Sequence, residues 1–104
     1  MDWELKREAG RFLGRVRGRV DETTWEAFSE ALTAAVREAK AAGDAPLVVD
    51  VSGLDYMSSR GLRALTMAKR EAGDSVKITL ASPNARMREI LAISRYDKLF
   101  EVVP

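Results

Sequence analysis

Short alternating runs open this chain, and helical periods follow. Trp3 and Leu5 alternate with Glu4 and Lys6, which predicts a strand over residues 3–7. A turn near Gly10 and a second strand over 11–16 complete a hairpin, with Gly14 and Gly18 marking a bulge or turn. Thr23 and Glu26 match a capping box. Trp25, Phe28, Leu32, Val36 and Ala39 then repeat on one helical face, and Gly43 ends that helix. At this spacing Trp25 and Phe28 read as core rather than as a surface for a partner. Residues 46–51 form an apolar run, as expected of a strand covered on both faces. Residues 52–57 read as a loop at its C-terminal side. A second helix is predicted over 59–72, with Leu62, Leu65, Ala68 and Ala72 inward and Gly73 closing it. A strand over 76–81 follows, then a helix begun at Pro83 and Asn84 with Met87, Ile90 and Leu91 inward. The segment 96–103 contains a last extended stretch around 100–103.

The predicted order is β-β-α-β-α-β-α-β, an α/β fold in a single domain over 1–104. Strands alternating with helices pair in parallel, and the initial hairpin makes the sheet mixed. In open α/β sheets, sites lie beyond the C-terminal ends of strands. Ser58 and Ser59 follow the strand that ends at Val51 and fall at such an end.

Composition narrows the chemistry. The chain has 104 residues, 46% hydrophobic and 32% charged, which suits one ordinary globular core. It has no cysteine and no histidine. Disulfides, thiolate nucleophiles, Cys/His metal sites and imidazole acid–base chemistry are therefore excluded. No spacing singles out a carboxylate pair, so an enzyme is not expected, and no metal or cofactor is called for. No apolar run approaches the roughly 20 residues of a membrane span, and Met1-Asp2-Trp3-Glu4 does not open a signal peptide. A cytoplasmic location without membrane association is the expectation. The net charge of +1 gives no reason to expect nucleic-acid binding. Arg11, Arg15, Arg17 and Arg19 do crowd one segment. A solvated strand face with Val16 inward is the simpler account of them, and a patch for phosphate or an acidic partner is the other.

The segment from Val48 to Leu65 carries the most specific signal: an apolar strand, a short polar stretch, then two serines opening a helix. A helix N-terminus favours added negative charge, so a serine there is a natural phosphorylation site. The plainer alternative makes both serines helix caps, a role one of them, Ser58 first, fills in any case. Asp50 and Asp55 read either as turn caps or as residues positioning the serine segment. Tyr56 and Met57 either form an apolar contact patch or pin the segment from beneath.

Asp50-Val51-Ser52-Gly53-Leu54-Asp55-Tyr56-Met57-Ser58-Ser59-Arg60-Gly61-Leu62, with Gly18-Arg19-Val20-Asp21 before it and Asp97-Lys98-Leu99-Phe100 after it, resembles the STAS domain of bacterial anti-sigma factor antagonists. The resemblance spans nearly the whole chain. It implies a domain that binds an anti-sigma factor serine/threonine kinase of histidine-kinase-like ATPase fold and so frees a sigma factor. It further implies that phosphorylation breaks the complex and that a PP2C-type phosphatase restores it. Ser59 matches the modified serine, with Ser58 as second choice. Asp50, Asp55, Tyr56, Met57, Ser58, Arg60, Gly61 and Arg63 are implied to face the partner, Tyr56 partly buried and Met57 nearer the surface. The residue before the modified serine is often aspartate in the family and is Ser58 here. Arg60 is an unusual residue to follow it, which implies an altered kinase preference or a pairing with the phosphate. Many members carry a further C-terminal helix beyond the position of Pro104. A monomer is expected. The alternative is a non-switching STAS module within a larger transporter or regulatory complex.

Overall fold

A computed structural model describes residues 1–104 as β1 (Asp2–Glu8), β2 (Arg11–Val20), α1 (Trp25–Ala41), β3 (Leu47–Met57), α2 (Ser59–Ala72), β4 (Ile78–Ala81), α3 (Ala85–Ile93), α4 (Tyr96–Leu99) and β5 (Glu101–Val103). The strands form one sheet in the order β1-β2-β3-β4-β5. β1 and β2 pair antiparallel as the expected hairpin, and every later pair is parallel. The mixed α/β sheet predicted from the alternation of periods is present.

The strand order decides where the helices go. The crossovers β2-α1-β3, β3-α2-β4 and β4-α3-β5 all step the same way across the sheet. Parallel crossovers are right-handed, so all three helices are delivered to one face. The core reflects this. One cluster joins Phe12, Val16, Leu47, Val49, Ile78 and Leu80 of the strands to Phe28, Leu32 and Val36 of α1, Leu65 and Ala68 of α2, and Met87 and Leu91 of α3. Trp25 packs against that cluster half-buried and Phe28 is fully inside, as their spacing predicts.

The other face of the sheet is open, which corrects the expectation of a central strand covered on both sides. Leu13 and Val48 are half-buried there, outside the core cluster. Arg15 pairs on this face with Asp50 at 3.1 Å and Glu4 at 3.9 Å, and Lys77 pairs with Glu101 at 3.2 Å. The run 46–51 is apolar because Leu47, Val49 and Val51 face the helices; Val48 is an exception that the outer polar residues flank.

Several local expectations also change. β2 continues past Val16 to Val20, and Gly14 lies flat under Trp3, whose indole occupies the space a Cβ would need. Residues 52–57 are strand, not loop. Two register shifts each add one residue to β3, between Arg15↔Asp50 and Arg17↔Gly53 and between Gly18↔Leu54 and Arg19↔Tyr56. Val51 continues the inward face of Leu47 and Val49; the first bulge brings Leu54 inward three residues later, and the second brings Met57 inward three after that. The Thr23–Glu26 capping box does not form. Thr24 occupies the cap position without capping, and its hydroxyl accepts the Asp21 N–H at 2.9 Å and donates to the Arg19 carbonyl at 2.9 Å. Thr23 instead donates its N–H and hydroxyl to the Asp21 carboxylate at 3.0 and 2.8 Å. Finally, β4 begins at Ile78 rather than residue 76, and the segment 96–103 starts with the turn α4, cut from α3 by Arg95 at φ 64°. The Tyr96 hydroxyl lies 2.7 Å from that of Thr66, tying α4 to α2.

Candidate functional site

The C-terminal ends of β2, β3 and β4 and the N-termini of α1, α2 and α3 meet along one edge of the sheet, because each crossover in a parallel sheet leaves from that edge. Ser58 and Ser59 sit at its centre and are used differently. Ser58 has extended backbone at φ −75° and ψ 171°. Its N–H donates to the Val20 carbonyl at 2.8 Å, its carbonyl accepts from Leu62 N–H at 3.0 Å, and its Oγ accepts from Gly61 N–H at 3.3 Å. It is 8% exposed. Ser58 is therefore the N-cap of α2, fixed to the end of β2. Ser59 is the first helical residue, exposed, and its hydroxyl makes no hydrogen bond within the protein.

Met57 does not lie near the surface. It is 2% exposed and packs beneath Gly61. A Cβ on Gly61 would lie 2.5 Å from Met57 Cγ and 2.7 Å from Val20 Cγ1. Glycine at this position lets the first turn of α2 sit directly on the ends of β2 and β3, which fixes the height at which Ser59 emerges. The two one-residue bulges of β3 cancel, so Met57 points inward on the face of Leu47, Val49 and Val51 and Tyr56 is left half-buried at the rim.

The charged neighbours divide into committed and free groups. Arg60 bridges to Glu22 at 3.4 Å, and its guanidinium lies 5.4 Å from the centre of the Trp25 ring. It thereby staples the start of α2 to the start of α1. Arg63, one turn further along α2, is exposed and makes no ion pair. Tyr56 lies between Arg19 and Arg86, with guanidiniums 4.8 and 5.8 Å from its ring centre. Asp55 is exposed beside it. Asn84 caps α3 by accepting the Met87 N–H at 2.9 Å and donates to the Leu54 carbonyl at 2.9 Å, clamping the start of α3 to the bulged part of β3.

Asp50 is not brought to this edge. It lies in mid-strand on the open face, seven residues before Met57, which at 3.3 Å per residue is roughly 20 Å away. Partial burial pushes its carboxyl up, but hydrogen bonds from the Ser52 N–H and hydroxyl and from Arg15, with the charge of Arg15, outweigh that. The net effect holds Asp50 below the usual carboxylate range. The edge thus gathers Asp55, Tyr56, Ser58, Ser59, Arg60, Gly61 and Arg63, with Met57 beneath. It adds Arg19, Glu22, Trp25, Asn84 and Arg86, which sequence reasoning did not assign to it. Glu22 carried no signal of its own, since an exposed arginine needs no ion pair, as Arg63 shows. Nothing in the sequence marks Asn84 as a clamp on β3.

No group of three or more acidic, histidine or cysteine side chains is placed to hold a metal ion, and no helix is long and apolar enough to cross a membrane.

Comparison with known proteins adds a family and relatives. The family described as "Mlab, STAS domain" matches residues 13–104. A STAS-domain containing protein of Pseudomonas aeruginosa is 36% identical over 56 residues, 53% of this chain and 55% of that relative's length. The chain therefore matches only about half the length of that curated relative. An anti-sigma factor antagonist from Mycobacterium paratuberculosis superposes with a TM-score of 0.86 at 22% identity, over 99% of this chain and 85% of its own. The Bacillus cell fate determinant SpoIIAA in its phosphorylated form superposes with a TM-score of 0.67 at 17% identity, over 99% and 92%.

Proposed function

The chain belongs to the STAS domain family, and from that premise we propose that it is an anti-sigma factor antagonist switched by phosphorylation at Ser59. The observation that carries this is the division of labour between the two serines: Ser58 is consumed as a buried cap, and Ser59 stands exposed and unbonded at the sheet's C-terminal edge. The unmodified edge binds an anti-sigma factor serine kinase, and that binding frees a sigma factor. The kinase transfers the γ-phosphoryl of ATP to Ser59 Oγ. A P–O bond to Oγ forms, the bond to the ADP oxygen breaks, and the hydroxyl proton leaves to a base. A PP2C-type phosphatase hydrolyses the product and resets the switch. This chain contributes no catalytic group of its own.

Added charge acts on the complex rather than on the fold. Phosphate brings about −1.5 to −2 charges at neutral pH. At the start of α2 the helix dipole favours that charge by about 0.3–1 kcal/mol. A partner surface packed against the serine hydroxyl meets a desolvated anion that it has no group to pair with. A loss of about 4 kcal/mol there weakens binding about a thousandfold.

The test uses tagged protein as bait in lysate of its native cell, followed by ATP and site-resolved mass analysis. Capture of a small histidine-kinase-like ATPase, one phosphoryl group on Ser59 and release of the complex are expected. Capture of a stable assembly with no phosphoryl transfer would sink the switch. That outcome would move the chain to the second reading, a non-switching subunit of a larger transporter or regulatory complex. The family description naming Mlab rather than an antagonist favours this alternative.

A further inference from the structure

We propose that a phosphate on Ser59 is received by Arg63 and not by the adjacent Arg60. This rests on Ser59 being the modified serine and goes on to name how the modified state is held. On a helix surface, residues four apart are neighbours and adjacent residues diverge. Ser59 and Arg63 have that spacing on α2, with the acceptor N-terminal to the cation, the more favourable orientation. Arg60 follows Ser59 directly and is turned away. Its guanidinium is held between Glu22 at 3.4 Å and the Trp25 ring at 5.4 Å, so reaching the phosphate requires giving up both. Arg63 is exposed, with no ion pair to surrender.

The consequence is a two-part change at the edge. Before modification Arg63 is a free cation offered to the partner beside Ser59. After modification the phosphate draws it into a charge-assisted hydrogen bond along the helix. The partner then meets a new anion and also loses a cation. The Glu22–Arg60–Trp25 staple stays closed in both states, so the fold at the start of α1 and α2 does not respond.

Phosphorus NMR titration of protein carrying genetically encoded phosphoserine at position 59 tests this without any kinase. Pairing with Arg63 lowers the phosphate's second pKa. Arg63→Gln is expected to raise it by about 0.2–0.7 units, the equivalent of about 0.3–1 kcal/mol at 1.36 kcal/mol per unit. Arg63→Lys should restore part of the shift, and Arg60→Gln should leave it unchanged. Both arginines are exposed, and an unchanged proton spectrum of the core methyl groups verifies folding. A shift seen with Arg60→Gln and not with Arg63→Gln overturns the assignment and opens the staple. No shift with either variant also overturns it and leaves the phosphate to solvent. Failure to find a kinase would sink the switch proposed above while leaving this titration readable, and a flat titration would leave the kinase result standing.

Discussion

Ser58 and Ser59 are neighbours in sequence with opposite expected sensitivities. Ser58→Ala removes the acceptor for Gly61 N–H inside a buried turn. Its expected cost is about 0.5–2 kcal/mol, read as a lower midpoint in urea unfolding. Ser59→Ala removes an unbonded exposed hydroxyl and should leave stability within about 0.5 kcal/mol while abolishing phosphoryl acceptance. Gly61→Ala sets two effects against each other. Helix propensity favours alanine by up to about 1 kcal/mol, and the Cβ would press Met57 and Val20 at 2.5 and 2.7 Å. Overpacking of a tight core costs about 1–3 kcal/mol, so thermal denaturation should show net destabilisation. The serines were legible because a cap and a modifiable hydroxyl both belong at a helix start. The inward face of Met57 is missed when 52–57 is read as a loop: as strand, Met57 keeps the face of Leu47, Val49 and Val51, because two one-residue bulges cancel.

Among the elements, the start of α3 is hydrogen-bonded to β3 through one side chain, Asn84. Asn84→Ala loses the cap on Met87 N–H and the bond to the Leu54 carbonyl together. The expected cost is about 1–3 kcal/mol. Hydrogen exchange should rise in the first turn of α3 before that of α1. The long helices were legible from Phe28, Leu32 and Val36 and from Leu65 and Ala68, which keep a helical period throughout. The second half of β3 was not. Val51, Leu54 and Met57 recur every third residue, a spacing that belongs to neither an ideal strand nor a helix, and only pairing with Arg17–Val20 makes it extended. The capping box failed for a similar local reason, since Asp21 offered Thr23 a better partner than the helix did.

For the whole molecule, the alternation of strands and helices implied a parallel sheet, but strand order is a long-range property that no local pattern encodes. That order put every long helix on one face and left Arg15 and Asp50 paired on the other. The pairing has a pH signature. Asp50 in the folded protein lies below its ordinary value of 3.8, so its contribution is present above that unfolded value and lost as pH falls through the folded one. Asp50→Asn should lower stability at neutral pH and flatten the fall in stability below about pH 4, measured by urea unfolding across an acid series. Phosphoryl acceptance at Ser59 should be untouched by it, because the two residues lie far apart on the same strand–helix unit. The most direct test of the central claim compares unmodified protein with protein carrying encoded phosphoserine at position 59, each titrated against the ATPase captured by the unmodified form. An affinity about a thousandfold weaker for the phosphorylated protein, with an unchanged fold, is the predicted result. Equal affinity of the two forms would contradict a switch at Ser59.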